Sequence, residues 1–159
     1  MTYVAVLIIA VIIIIGVMSG KKTFDDTKRL AEEGKTIARE AAFYENEEIF
    51  KTSASYEDVC QKLKETDLND TKANIQNDFE GYRLVFFKSA DEWNAVLEDH
   101  GKQDDKNILQ FYFKAWRTGR YGTVKALSMN VLVTAVEKTI LSLDPSATVE
   151  THKMQLTTK

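Results

Sequence analysis

From Tyr3 to Ser19 the chain runs without a charged side chain, and most of the stretch is Ile and Val. A helix rises about 1.5 Å per residue and the hydrocarbon core of a bilayer is about 30 Å thick, so roughly 17 to 20 such residues just suffice to cross. The run therefore reads as a membrane anchor with a soluble domain behind it. A cleaved secretory signal needs a positive n-region and a small-x-small cleavage site after a shorter apolar core; here only Met1 and Thr2 precede the run, and Lys21 and Lys22 follow it. A helix apolar on every face would need protein all around it to sit in a globular core. The β-branched residues that weaken a helix in water do little harm in lipid, where unpaired backbone groups are far costlier.

Orientation follows from the cations beside the span. Lys21, Lys22, Lys28 and Arg29 lie on its C-terminal side, with only the α-amino group on the other. Positive residues stay inside, so the expected topology places the N-terminus outside and the domain in the cytoplasm, with an extracytoplasmic domain as the alternative. Gly16 and Gly20 form one Gly-x-x-x-Gly at the end of the span, a spacing that lets two helices approach closely and so offers a contact for homo-oligomerisation.

Behind the anchor remain about 140 residues, the size of one domain with a single core. The net charge is -3 with acids and bases interspersed, which gives no basic field for nucleic acid. Cys60 is the only cysteine, which excludes an internal disulfide and any multi-cysteine metal site, and it suits a reducing compartment. The division expected is 1–22 as a single-pass transmembrane anchor, 23–45 as a juxtamembrane helix and 46–159 as a soluble α+β domain. In the juxtamembrane stretch Leu30, Gly34, Ile37 and Ala41 fall on one helical face, a narrow stripe that permits close packing.

Within the domain, Glu47 to Thr52 reads as a strand. Ser55 to Asp58 caps a helix whose Tyr56, Val59, Cys60 and Leu63 have i, i+3, i+4, i+7 spacing. Thr66 to Glu80 is polar and reads as a loop with a short helix. Tyr82 to Lys88 is a strand rich in aromatic and β-branched types. Ser89-Ala90-Asp91-Glu92 has the form of a capping box, which predicts a helix with Trp93, Val96 and Leu97 inward and a stop at Gly101. Lys102 to Asn107 follows as a charged loop. Ile108 to Arg117 is the strongest strand, with Leu109, Phe111, Phe113 and Ala115 facing one way and Tyr112, Lys114 and Trp116 the other. A turn with Gly119 and Gly122 leads to an apolar helix over 125–143, ended by Asp144-Pro145, and Thr148 to Leu156 forms an edge strand. The expected fold is α+β, a mostly antiparallel sheet covered by helices, with the split β-α-β arrangement of the ferredoxin-like kind as the leading topology.

Little in this chain points to catalysis. Cys60 lies on an apolar helical face with no base beside it, and His100 and His152 are far apart and lack metal-ligand spacing. His100 before Gly101 reads as a helix C-terminal cap, and His152 as a solvent-facing residue on an edge strand. The paired acids sit in caps, loops and exposed faces, and no phosphate loop, dinucleotide fingerprint or calcium loop occurs. No catalytic residue, metal ligand or cofactor is therefore expected. The cluster that stands out is Lys114, Trp116, Arg117, Arg120, Tyr121 and Lys125, cations and aromatics around a Gly-rich turn before a helix. Arg forks, aromatic faces and a helix N-terminus can together hold a phosphate, a carboxylate or an anionic lipid. A solvated strand end with cationic stems lying over Trp116 and Tyr121 accounts for the same residues without a ligand. The leading expectation is a single-pass, non-enzymatic membrane protein whose α+β domain binds a partner protein or an anionic ligand at the membrane surface. The alternatives are a membrane-anchored hydrolase or transferase with a dispersed acid and Arg site, and an accessory subunit of a membrane assembly.

Overall fold

A computed structural model of the chain describes residues 22–76, 83–119 and 124–155. The anchor expected over 3–19, with Gly16 and Gly20, lies outside the described residues, as do Arg120, Tyr121 and the turn at 120–123. Two compact units divide the chain, Met1–Ile37 and Ala38–Lys159.

In the first unit a helix, α1, runs through 22–32. Its exposed face carries the i,i+4 pairs Lys28–Glu32 at 3.8 Å and Arg29–Glu33 at 3.0 Å. The helix expected to continue to residue 45 ends here, because Gly34 takes a left-handed φ of 67°. The amide of Gly34 then donates to the Ala31 carbonyl and that of Lys35 to the Leu30 carbonyl, the paired bonds of a Schellman stop. Gly34 is thus a terminator rather than part of a packing stripe, and Leu30, Ile37 and Ala41 do not share one helical face.

The second unit is α+β, with one six-stranded antiparallel sheet in the order β2-β3-β4-β5-β1-β6. After a 3-10 turn at Phe43–Glu45 come β1 (Asn46–Thr52), α2 (Tyr56–Glu65), a second 3-10 turn (Asn69–Thr71), β2 (Ala73–Gln76), β3 (Leu84–Ser89), β4 (Trp93–Gln103), β5 (Lys106–Trp116), α3 (Ala126–Leu143) and β6 (Thr148–Lys153). Helix α2 starts as its sequence predicts, with the Ser55 hydroxyl accepting the Asp58 amide at 3.1 Å.

The largest departure from expectation is β4, a strand where the capping-box pattern predicts a helix. Ser89-Ala90-Asp91-Glu92 makes a hairpin turn instead: the Ser89 hydroxyl donates to the Thr71 carbonyl and accepts the Asp91 amide, and Glu92 has φ 63°. Trp93, Ala95 and Leu97 then alternate inward at period 2, whereas the helical reading had counted Trp93, Val96 and Leu97. Val96 faces the other way, 2% exposed between its cross-strand neighbours Phe86 and Tyr112. The charged loop expected over 102–107 is a two-residue hairpin, with Asp104 at φ 50° and Asp105 at φ 63°, so β4 and β5 are continuous arms of one ribbon. His100 consequently sits on a strand rather than at a helix end.

These strands enlarge the split β-α-β plan. All neighbours are antiparallel, so β1 and β2 run the same way and are joined by α2, while β5 and β6 run the same way and are joined by α3. Four strands lie between the two helices, where a ferredoxin-like chain has two. β6 lies at the sheet edge, as predicted.

The core lies between the inner face of the sheet and the two helices. Phe50, Val85, Phe87, Ala95, Leu97, Leu109, Phe111 and Phe113 meet Val59 and Leu63 of α2 and Met129, Leu132, Val136 and Ile140 of α3. The aromatic rings contact edge to face, Trp93 on Phe113 at 5.6 Å and Phe111 on Phe113 at 5.4 Å. Among the described residues α3 is the one helix long and apolar enough to cross a membrane, but half of it is buried in this core.

Candidate functional site

The basic turn is split by the fold. A bulge in β5 opposite Asn94 and Ala95 leaves Lys114 unmatched and reverses the alternation after it. Trp116, expected to face outward with Lys114, therefore stands opposite the buried Trp93 and packs edge-on against Tyr44 at 5.2 Å. Lys114 and Lys125 are exposed. Arg117 is exposed too, but its Nη1 donates to Glu92 Oε1 at 2.7 Å. Lys125 stands at the start of α3, where the buried Trp93 Nε1 donates to the Ser128 hydroxyl at 3.0 Å. The described members of the expected site thus share one end of the sheet, with the indole turned inward.

The most concentrated polar chemistry lies at the other margin of the sheet, along β1 and β6. Strand β1 points Glu48, Phe50 and Thr52 inward, so a glutamate occupies a core-facing position. Helix α3 carries Asn130, Thr134 and Glu137 along one line of an otherwise apolar surface. Arg39 binds all of this together. Its Nε donates to Asn130 Oδ1 at 3.2 Å, its Nη1 to Glu48 Oε1 at 3.1 Å and its Nη2 to Glu137 Oε2. Asn130 Oδ1 also accepts the Thr134 hydroxyl at 3.1 Å. The three charged side chains are 12%, 11% and 17% exposed, which makes this a semi-buried ion cluster rather than a surface pair.

Two carboxylates share one guanidinium, and the balance shows in Glu48. Burial, reinforced by the charge of Glu137 and offset in part by Arg39, raises its pKa from 4.5 to about 7. Glu48 Oε2 is buried without a hydrogen-bond partner. Beside it opens a cavity of about 440 Å³, lined by Asn46 and Glu48 of β1, Thr151 and Lys153 of β6, and Arg39, Glu40 and Phe43 of the segment before β1. Glu48 and Thr151 are cross-strand partners, as are Asn46 and Lys153, so both pairs present side chains to the same face. Lys153 is 78% exposed and meets Glu45 only at 3.8 Å.

The remaining candidates have local explanations. Cys60 is half-buried, and burial pushes its thiol pKa up, the opposite of an activated thiolate. His100 lies 3.6 Å from Glu98 and His152 3.6 Å from Glu150, both at the surface. Asp144 is a structural clasp: it accepts the Thr52 hydroxyl and the Ser53 and Ser146 amides, and hydrogen bonds led by the Ser146 hydroxyl hold its carboxyl far below the usual range. Among the described residues no group of His, Cys, Asp or Glu is arranged to hold a metal ion. Comparison with protein-family models, curated proteins and solved structures gives no match to this chain.

Sequence reasoning passed over the Arg39 cluster because its members lie in three segments each assigned another role. Arg39 falls in the stretch that reads as a juxtamembrane helix, Glu48 in a predicted strand and Glu137 within the predicted helix over 125–143. A signal is present: a glutamate in step with the core-facing Phe50 and Thr52, and Asn130 and Glu137 two turns apart in an apolar helix.

Proposed function

We propose that this chain is a single-pass membrane protein held in the bilayer by residues 3–19, and that its α+β domain binds a partner protein or an anionic ligand at the membrane surface without catalysing a reaction. The observation that carries the reading is the uncharged apolar run followed at once by Lys21 and Lys22, with a separate compact unit beginning at Ala38 behind it. Anchoring raises local concentration at the bilayer, so a weak binding face suffices. The exposed cations Lys114, Arg117 and Lys125, with Arg120 of the same turn, are the face for an anionic partner. Alkaline extraction and protease treatment of intact cells test location: the chain stays with the lipid, and the domain is protected if it is cytoplasmic. Release by alkaline carbonate overturns the anchor.

One observation favours a second reading, a membrane-anchored hydrolase or transferase. A carboxyl with a pKa near 7 beside a polar cavity has the properties of a general base. The clamp on Arg39 accounts for Glu48 without turnover, and so the binding reading leads.

A further inference from the structure

The cavity at the β1/β6 margin is one hydrogen-bond partner short. Glu48 is 8% exposed and one of its oxygens, Oε2, has no partner. As a carboxylate it leaves a buried lone pair bare; as an acid it leaves a hydroxyl without an acceptor. Either is unfavourable, so a group that supplies the missing contact binds with that advantage. The charge count points to the kind of group. Glu48 and Glu137 share the single guanidinium of Arg39, and Glu40 adds a further carboxylate to the lining, which leaves an excess of negative charge when Glu48 and Glu137 are ionised. A ligand ammonium answers both the charge and the missing donor. The exposed Lys153 supplies the opposite sign at the other end of the cavity, two residues along the strand pair or about 7 Å away. Asn46 and Thr151 add an amide and a hydroxyl. Glu48 itself lines the cavity, and the last torsion of a glutamate is soft, so the sealed Oε2 gains a donor where a bound ligand draws the carboxylate round toward it.

We propose that this cavity binds a small zwitterion, a molecule that presents a primary ammonium to Glu48 and a phosphate or carboxylate to Lys153. The proposal rests on the reading of the domain as a binding module, but it needs neither the anchor nor the basic turn. The same chemistry has two sources, the headgroup of an ethanolamine phospholipid at the bilayer surface and a free amine acid in solution.

The test uses the full chain in non-ionic detergent micelles at pH 7.5, followed by amide NMR during titration with phosphoethanolamine, ethanolamine and inorganic phosphate. Saturable shifts are expected at Asn46, Thr151 and Lys153, with phosphoethanolamine bound at least about tenfold more tightly than either half, a difference of about 1.4 kcal/mol. Glu48→Gln and Lys153→Ala should each weaken binding by about tenfold, while Lys88→Ala, exposed on β3 far from the β1/β6 margin, leaves it unchanged. Nanodiscs of phosphatidylcholine with and without phosphatidylethanolamine separate the sources: competition by the ethanolamine lipid identifies the headgroup, and its absence alongside phosphoethanolamine binding identifies the soluble ligand. No saturable shift, equal affinity for either half, or full affinity in Glu48→Gln overturns the proposal. Failure of the extraction or anionic-vesicle tests leaves this result untouched, so the two readings fail separately.

Discussion

Replacing Glu48 by Gln should make the domain more stable, by an amount that grows as pH rises from 4.5 and levels off above about 7. Below 4.5 the carboxyl is protonated whether the chain is folded or not, and it contributes no pH dependence. Between 4.5 and about 7 the unfolded chain has released the proton while the folded one still holds it. Folding therefore takes up a proton, and stability falls as pH rises. Above about 7 the loss is complete. The interval between the two values, at about 1.4 kcal/mol per pH step, amounts to about 3 kcal/mol. Gln keeps the shape and can still accept the Arg39 bond through its Oε1, but it has no proton to lose. Urea unfolding of the full chain in mild detergent, read by fluorescence of Trp93, which is 1% exposed, measures the difference. Subtracting wild type from variant cancels the titrating groups that do not interact with Glu48. With a slope near 2 kcal/mol per molar, the Gln variant should unfold about 1.5 M later than wild type at pH 8 and close to it at pH 4.5. A difference between the proteins that is constant with pH would refute the account of Glu48 as an acid held neutral by burial and by Glu137.

Other outcomes follow from the same geometry. Arg39→Ala leaves two semi-buried carboxylates facing each other and should cost about 3 to 5 kcal/mol in the same unfolding assay, more at pH 8 than at pH 5. Ser128→Ala strips the acceptor from the buried Trp93 Nε1 and should cost about 1 to 3 kcal/mol, with a shifted indole N–H resonance. Asp105→Gly, at a left-handed φ of 63°, should stabilise the β4–β5 hairpin by up to about 1 kcal/mol, whereas Asp105→Val should destabilise it by at least as much. Arg117→Ala with Arg120→Ala removes the exposed Arg117–Glu92 ion pair and should change stability by less than about 1 kcal/mol while reducing co-sedimentation with anionic vesicles; unchanged sedimentation removes the turn as a binding face.

What could be read from the chain in advance depended on whether a local signal had one meaning. Ser55 before Tyr56, the β-branched and aromatic run at Leu84–Ser89 and the apolar run ending at Asp144-Pro145 each permit one structure, and each forms. The segment after Ser89 permitted two. A Ser-x-x-Glu sequence opens a helix when its backbone can follow, but here the Ser89 hydroxyl is engaged by Thr71 from another part of the chain, and Glu92 turns left-handed. That ambiguity conceals β4, and β2 is hidden separately: the polar stretch from Thr66 to Glu80 reads as a loop with a short helix, yet Ala73–Gln76 within it pairs with β3 and completes the meander of four strands. Trp116 was misdirected for a smaller reason: one extra residue at Lys114 inverts the faces of everything after it, and a bulge leaves no compositional trace. The Arg39 cluster was hidden for a third reason, that a buried ion group is assembled by tertiary contact from residues which separately resemble ordinary surface.

The outer strand of the sheet leaves one more consequence. All six residues of β6 are exposed, and among the described residues its far side has no neighbour. Such a margin invites a second copy to zip on. Glu150, tied to Lys51 at 2.8 Å, and the nearby Lys153 put charge along that margin and make stacking costly. A few ionic side chains at the rim thus guard this edge, and replacing them with Val or Thr should promote edge-to-edge association into fibres.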